Sequence, residues 1–167
     1  MTISQILLPE FDQEMTSTRK LLARLPEDKL DYQPHEKSMK LARLAGHVAE
    51  LPGWIAMLPG KDKLEIPPDW KPTVATSGTQ ILSLFDDNAA KGRVALAGMS
   101  DEEFGENWSL VFNGRTAFTM PKLNVVRSVV LNHLIHHRGQ LGVYFRLNNV
   151  PVPGLYGPSA DDKAAAA

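Results

Sequence analysis

The segment after Pro121 constrains the fold of this chain most, because it is apolar on two opposite faces of a predicted helix. At about 100° per residue, Val126, Val130 and Leu141 fall within about 80° of His133. The opposite face is apolar or small, and it consists of Ser128, Leu131, Ile135, Gly139 and Gly142. A helix that is apolar on both sides is buried on both sides. We expect the second face to form a homodimer interface, with packing inside one chain as the alternative.

Three earlier segments also show the spacing of amphipathic helices, over approximately residues 3–24, 38–58 and 77–98. Pro52 interrupts the second of them, because proline cannot donate the backbone hydrogen bond to Val48. The sequence therefore predicts four helical segments, with a kink in the second.

The connections differ in character. Residues 59–76 are rich in proline and lack periodicity, so they predict a long loop. Asn113-Gly114 lies between apolar, β-prone runs and predicts a short β-hairpin between the third and fourth helices. We expect one domain over residues 1–160 and a disordered tail over residues 161–167.

His133 and His137 lie one turn apart on the last predicted helix, and both fall in its apolar stripe. This spacing lets two imidazoles meet at one metal ion, as in the helical pair of zinc proteases. The glutamate that follows the first histidine in those proteases is Leu134 here, which argues against peptide hydrolysis by that route. The alternative is a pair of core histidines that are satisfied by neighbouring polar groups.

A third histidine, His47, faces inward on the second predicted helix, together with Leu44, Leu51 and Trp54. Three imidazoles that share one divalent cation offset the cost of burying each of them. Three protein ligands also leave a fourth position open, which is typical of catalytic zinc sites. We expect His136 and His35 to lie outside this site.

Composition limits the function classes. The chain has 167 residues, a net charge of −1 and no run of more than two basic residues, which argues against nucleic-acid binding. The first residues lack the pattern of a signal peptide, and no apolar run is long enough to span a membrane, so we expect a cytoplasmic protein. The chain contains no cysteine, so any thiol in its chemistry must come from a small molecule.

The motifs resemble those of the DinB-like superfamily. The strongest match is His133-x-x-x-His137-Arg138-Gly139-Gln140, followed by the segments Tyr144–Leu147 and Val152–Ser159. An isolated histidine in a leucine-rich second helix, after the loop Leu30–Pro34, agrees with it. The resemblance covers nearly the whole chain and is most specific over residues 123–160.

This resemblance implies an all-α fold, namely an up-down four-helix bundle with long crossover loops, often dimeric. It also implies one divalent metal ion at His47, His133 and His137. Family members with assigned activity include thiol-dependent S-transferases and a maleylpyruvate isomerase, which use glutathione-like, mycothiol or bacillithiol cofactors. The family name does not imply DNA binding.

The expected function is therefore a metal-dependent transferase or hydrolase that activates a small thiol or water for attack on a small electrophile. The alternative is a non-catalytic, metal-stabilised or small-ligand-binding bundle. Zinc and nickel are the metals we expect, although histidine also suits copper and iron. Gln140 and Tyr144 are the candidate catalytic residues: Gln140 can orient a histidine or a bound water, and Tyr144 can donate a hydrogen bond or simply pack in the core. Arg138 faces away from the stripe, as a salt-bridge partner or an anion ligand.

Overall fold

The computed structural model describes residues 1–164, and their side chains as far as residue 162. The helical elements over the first 105 residues are α1 (Ile3–Leu22), a single 3₁₀ turn (Glu27–Lys29), α2 (Leu41–Glu50), the 3₁₀ segment (Leu51–Met57), α3 (Gly78–Gly98) and α4 (Asp101–Gly105). Side chains cap three of these helices: the hydroxyls of Thr2, Ser77 and Ser100 accept from backbone N–H groups of α1, α3 and α4.

The last long helix is continuous but changes its winding. It begins as the single turn α5 (Lys122–Asn124), widens into a π-helical segment (Val125–Asn132) and continues as α6 (His133–Leu147). π-Helical turns are rare and frequently occur at functional sites. A short helix α7 (Ala160–Ala164) starts the predicted tail, whose residues 165–167 lie outside the described part of the chain.

Three strands form a mixed sheet in the order β1-β2-β3, with β1 at Lys63–Ile66, β2 at Asn107–Phe112 and β3 at Arg115–Pro121. β2 and β3 are antiparallel and form the predicted hairpin, in which Asn113 and Gly114 have φ angles of 49° and 71°. Positive φ at both turn residues is what Asn-Gly favours.

The expected all-α four-helix bundle is wrong. The chain is mostly helical, but it carries this three-stranded mixed sheet and more helical elements than four. β1 lies inside the expected long loop of residues 59–76 and pairs in parallel with β2, with Leu64 opposite Leu110. A strand of four residues is too short to show an alternating pattern, and its partner lies far along the chain, so local periodicity could not reveal it.

The core lies between the long helices. α3 packs against α1, α2 and the 3₁₀ segment, and α6 packs against α2 and α1. The α-helical part of the second helix ends just before Pro52, as the missing N–H of proline requires. Gly92 of α3 allows close packing there, because an added Cβ would overlap the carbonyl oxygen of Pro52.

A buried lysine holds the start of the last helix. Lys122 is fully buried, and its Nζ lies 3.2 Å from Glu103 and 2.8 Å from Glu106. Burial alone would lower the pKa of Lys122, but the hydrogen bonds to both carboxylates outweigh it and raise the pKa. The ion pairs therefore fix the helix that carries two of the three candidate histidines. Among the described residues, no helix is long and apolar enough to cross a membrane.

Candidate metal centre

The three predicted histidines converge from two helices. His47 lies in the last turn of α2, while His133 and His137 occupy successive turns at the start of α6. Their ring centroids are 4.6–4.9 Å apart in all three pairs. One ligand atom from each side chain lies within 4.8 Å of the others, so the group could hold a single metal ion.

The atoms that meet are the Nε2 nitrogens. Nε2 of His133 lies 2.9 Å from Nε2 of His137 and 3.3 Å from Nε2 of His47. For both histidines on α6, the other ring nitrogen faces an acceptor. Nδ1 of His133 lies 3.1 Å from the Val129 carbonyl, and Nδ1 of His137 lies 2.7 Å from Oε1 of Gln140.

This pattern tests whether a cation fits the site. An acceptor next to Nδ1 assigns the proton to that nitrogen and leaves Nε2 with its lone pair. Lone pairs on Nε2 of His133 and His137 then point towards each other, with Nε2 of His47 beside them, and this is repulsive unless a proton or a cation lies between the nitrogens. A divalent cation bound by neutral imidazoles satisfies all three at once. The donor set therefore fits a metal ion of the kind that histidine prefers.

Burial favours the neutral imidazoles of His133 and His137. Desolvation is the main cause that lowers the pKa of His137 to about 4, and the neighbouring histidines lower it further. Desolvation, followed by the proximity of His47, also holds the pKa of His133 below its usual value. A neutral imidazole is the form that ligates metals, so the surroundings prepare both side chains for ligation.

Glu50 supports the third histidine from one turn further along α2. Its Oε2 lies 3.9 Å from Nδ1 of His47, an electrostatic contact that is longer than a hydrogen bond. Burial opposes the charge of Glu50, but His47, the backbone N–H of Thr73 and Arg43 outweigh it and lower the pKa of this carboxyl. The sequence allows this contact, because the spacing His47-x-x-Glu50 places the carboxylate one turn along the helix and about 60° around it from the ring.

The loop before α3 passes close to this contact. The N–H of Thr73 donates to Oε1 of Glu50 at 2.8 Å, and an added Cβ on Gly46 would overlap the Thr73 carbonyl. A glycine next to His47 therefore lets the loop reach Glu50. No sequence pattern indicated this approach, since it joins segments almost thirty residues apart.

The two candidate catalytic residues differ in position. Gln140 contacts His137 directly and so lies where a residue that orients a ligand should be. The hydroxyl of Tyr144 donates instead to the Met39 carbonyl at 3.1 Å, and its ring packs edge-on against Tyr32. The structure therefore brings Gln140 to the histidines and shows Tyr144 in core packing.

Arg138 follows His137 but points to the other side of the helix, where it is buried against α1. Its guanidinium lies 2.7 Å from Glu14 and also donates to the hydroxyl of Thr18. Tyr156, from the C-terminal segment, donates to both oxygens of Glu14 and lies under the guanidinium. Of the two roles considered for Arg138, the salt bridge is confirmed.

The remaining histidines do not join the group. His136 is exposed, with its ring 4.8 Å from the ring of His137, and His35 is exposed in the loop before α2. In residues 1–162, no cysteine or carboxylate adds a fourth ligand atom to the group. The site thus offers three nitrogens, and the side chains of His47 and His133 are both partly accessible to solvent.

The fold and site together define a mostly helical protein with a three-histidine candidate metal site. The model of the DinB family matches residues 2–166, and the chain belongs to this family. The resemblance noted from the sequence motifs is therefore confirmed. No curated protein matches the chain.

Two solved structures have the same overall arrangement. A DinB-like protein from Bacillus cereus ATCC 10987 superimposes with a TM-score of 0.71 at 25% identity, covering 93% of this chain and 98% of the other. A DinB-like protein from Bacillus subtilis gives a TM-score of 0.64 at 18% identity, covering 87% of this chain and 94% of the other. The second likeness concerns the fold alone.

Proposed function

We propose that the chain binds one divalent metal ion, zinc or nickel, through Nε2 of His47, His133 and His137. We further propose that it is a metal-dependent transferase or hydrolase acting on a small electrophile. The convergence of three Nε2 atoms, with an acceptor bound at Nδ1 of both histidines on α6, is the observation that carries this proposal.

Neighbouring polar groups would hold the three histidine rings in place. Gln140 and the Val129 carbonyl hold the Nδ1 protons, which keeps the rings of His137 and His133 in the orientation that ligation needs. Glu50 lies 3.9 Å from Nδ1 of His47, where its carboxylate favours a proton on that nitrogen rather than on Nε2. A divalent ion with an open coordination position lowers the pKa of a water or thiol that binds to it towards neutrality.

The absence of cysteine shapes the proposed reaction. Because no thiol belongs to the chain, a thiol nucleophile would come as a low-molecular-weight cofactor. Water is the other nucleophile that fits a three-nitrogen site. Tyr144 as a hydrogen-bond donor in this chemistry stays a prediction, and it would require the bond to Met39 to break.

The assembly and surroundings of the protein also stay predictions. A small-molecule substrate, a homodimer and a cytoplasmic location agree with the proposal, as does the expected lack of nucleic-acid or membrane partners. Leu131 from the predicted interface is fully buried within the chain. A Cβ added at Gly142 would lie 3.9 Å from the side chain of Val152, whereas one added at Gly139 would meet open space.

Metal content and turnover test the proposal together. The protein would be loaded with zinc or nickel, analysed for metal, and assayed with a small thiol and an electrophile before and after chelation. We expect His47→Ala, His133→Ala and His137→Ala each to remove most bound metal, with His136→Ala as the matched control that keeps it. Turnover should disappear with chelator and return with metal.

The outcomes separate the two parts of the proposal. Metal binding that survives His133→Ala but not His136→Ala would overturn the ligand assignment. Metal binding with no turnover for any thiol or with water, and with only a loss of thermal stability on chelation, would instead favour the non-catalytic metal-stabilised protein.

A further inference from the structure

A second candidate site lies away from the meeting point of the three Nε2 atoms. A pocket of about 370 Å³ opens between the 3₁₀ segment, β1 and α3, and none of the three histidines lines it. Its walls are mainly apolar and consist of Trp54, Met57, Leu64, Ile66, Trp70 and Leu84. This volume falls within the usual range of small-molecule sites, about 300–1,000 Å³.

Large apolar side chains stay accessible to solvent at this pocket. Trp70 is 43% exposed and Met57 is 40% exposed, and both line the pocket. A cluster of exposed large apolar groups around a concavity is more typical of a ligand site than of a plain surface. Two indole rings also supply electron-rich faces, which attract cations.

Apart from the two indole N–H groups, the polar side chains that line the pocket present acceptors. Glu50 and Glu65 contribute carboxylates, and Asn88 contributes an amide whose nitrogen already donates to the Ala49 carbonyl at 2.9 Å. The oxygen of Asn88 is therefore the part that stays available. Over the described side chains, no lysine, arginine or histidine lines the pocket.

The charge balance favours a positive ligand. Arg43 contacts Glu50 at 3.4 Å from outside the pocket, so it offsets one of the two negative charges. Glu65 is exposed and forms no ion pair within residues 1–162. A carboxylate or phosphate ligand would meet uncompensated negative charge, whereas an ammonium group would meet two indole faces and a free carboxylate.

We propose that this pocket binds a small organic cation, with an alkylated ammonium group against Trp54 and Trp70 and its positive charge directed towards Glu65. The proposal does not rest on the metal site, because none of the three histidines lines the pocket; among the lining residues, Glu50 also contacts His47. It adds a ligand class to the chain, whether the ligand is a substrate or a separate effector.

Choline tests the proposal together with two analogues. 3,3-Dimethylbutan-1-ol replaces the ammonium nitrogen with carbon and is neutral, and 3,3-dimethylbutanoate is an anion of similar shape. Each is titrated into the full chain with NMR detection of the indole N–H signals. We expect choline to shift the signals of Trp54 and Trp70 but not that of Trp108, which is 1% exposed and does not line the pocket.

The expected preference is about fivefold or more for choline over the neutral isostere, in line with a cation–π contribution at a partly exposed site. Trp70→Leu keeps an apolar wall but removes an indole face, so it should abolish most of this preference. Glu65→Gln should weaken the binding of choline and leave the binding of the neutral isostere unchanged. Phe112→Leu and Glu36→Gln, an exposed aromatic residue and an exposed carboxylate outside the pocket, are the matched controls.

Three results would overturn the proposal. Equal affinity for choline and the neutral alcohol would mean that the pocket recognises apolar shape alone. Binding of the carboxylate as tightly as choline would contradict the charge argument. Absence of any shift at Trp54 and Trp70, in protein whose spectrum shows it folded, would mean that the pocket is not a site for this class of ligand.

Discussion

The buried ion pair between Glu14 and Arg138 offers a sharp test of how α6 is held in place. α1 carries two glutamates one turn apart, and each pairs with an arginine of the last helix. Glu14 pairs with Arg138, and the exposed fractions of the two side chains are 7% and 1%. Glu10 pairs with Arg127, and their exposed fractions are 36% and 42%. The chain thus contains a buried pair and an exposed pair in matched settings.

Glu14→Gln should lower the free energy of unfolding by about 3 kcal/mol. Removing one partner of a buried pair costs about 3–5 kcal/mol, because the remaining charge is left without its counter-ion. We take the lower end, since the amide oxygen of glutamine can still accept from Arg138 or Tyr156. Glu10→Gln should cost about 0–1 kcal/mol, because solvent screens the exposed pair.

Urea denaturation followed by circular dichroism, at pH 7 with chelator present, would measure both variants. With an m value of about 2 kcal/mol/M, the midpoint should fall by about 1.5 M for Glu14→Gln and by less than about 0.5 M for Glu10→Gln. The double variant Glu14→Leu/Arg138→Met should recover much of the loss, since apolar replacements remove both buried charges. Equal losses for the two single variants would refute the argument from burial.

Two further predictions concern the site and a third concerns the assembly. Without metal, the free energy of unfolding should fall as pH drops from 7 to 5. The pKa of His137 is about 4 in the folded chain and about 6.5 in the unfolded chain, so the unfolded chain binds the proton first as the pH drops. His137 alone should contribute about 2 kcal/mol to this loss, and urea denaturation of His137→Gln should show a flatter profile. Gln140→Ala should weaken metal binding about 10–100-fold in a competition assay, whereas Tyr144→Phe should leave metal affinity unchanged and cost about 1 kcal/mol of stability. Native mass at micromolar concentration should be that of a dimer, and Gly142→Arg should convert it to a monomer or unfold it; a single-chain mass for the unaltered protein would contradict the dimer.

The helices could be predicted from the sequence because their signal is local. Apolar residues three and four positions apart mark each helix, and Pro52 marks the end of α2. The sheet could not be predicted as a whole, because β1 is four residues long and pairs with β2 in parallel across a large gap in sequence. The π-helical segment could not be predicted either, since its apolar residues follow no sequence pattern that differs clearly from that of an α-helix.

Helical-wheel angles located the histidines correctly but said less about Tyr144. The wheel gives the direction of a side chain around the axis and nothing about its position along it. Tyr144 follows His137 by seven residues, which is about 10 Å along an α-helix at 1.5 Å per residue. The two side chains therefore share a face of the helix. Tyr144 nevertheless contacts the Met39 carbonyl and Tyr32, and not the three histidines.

The acceptors next to the histidines show that the sequence predicts more of the site than the three ligands. Val129 precedes His133 by four residues, and Gln140 follows His137 by three, as Glu50 follows His47. Each lies one helical turn from its histidine, so helix geometry alone brings the pairs together. A buried histidine that has an acceptor one turn away is held in the Nδ1–H form, with Nε2 free. Both rings on α6 have such an acceptor, and on α2 Glu50 lies 3.9 Å from Nδ1 of His47. The pattern therefore favours ligation over three unrelated core histidines, whose Nε2 atoms would not be expected to converge.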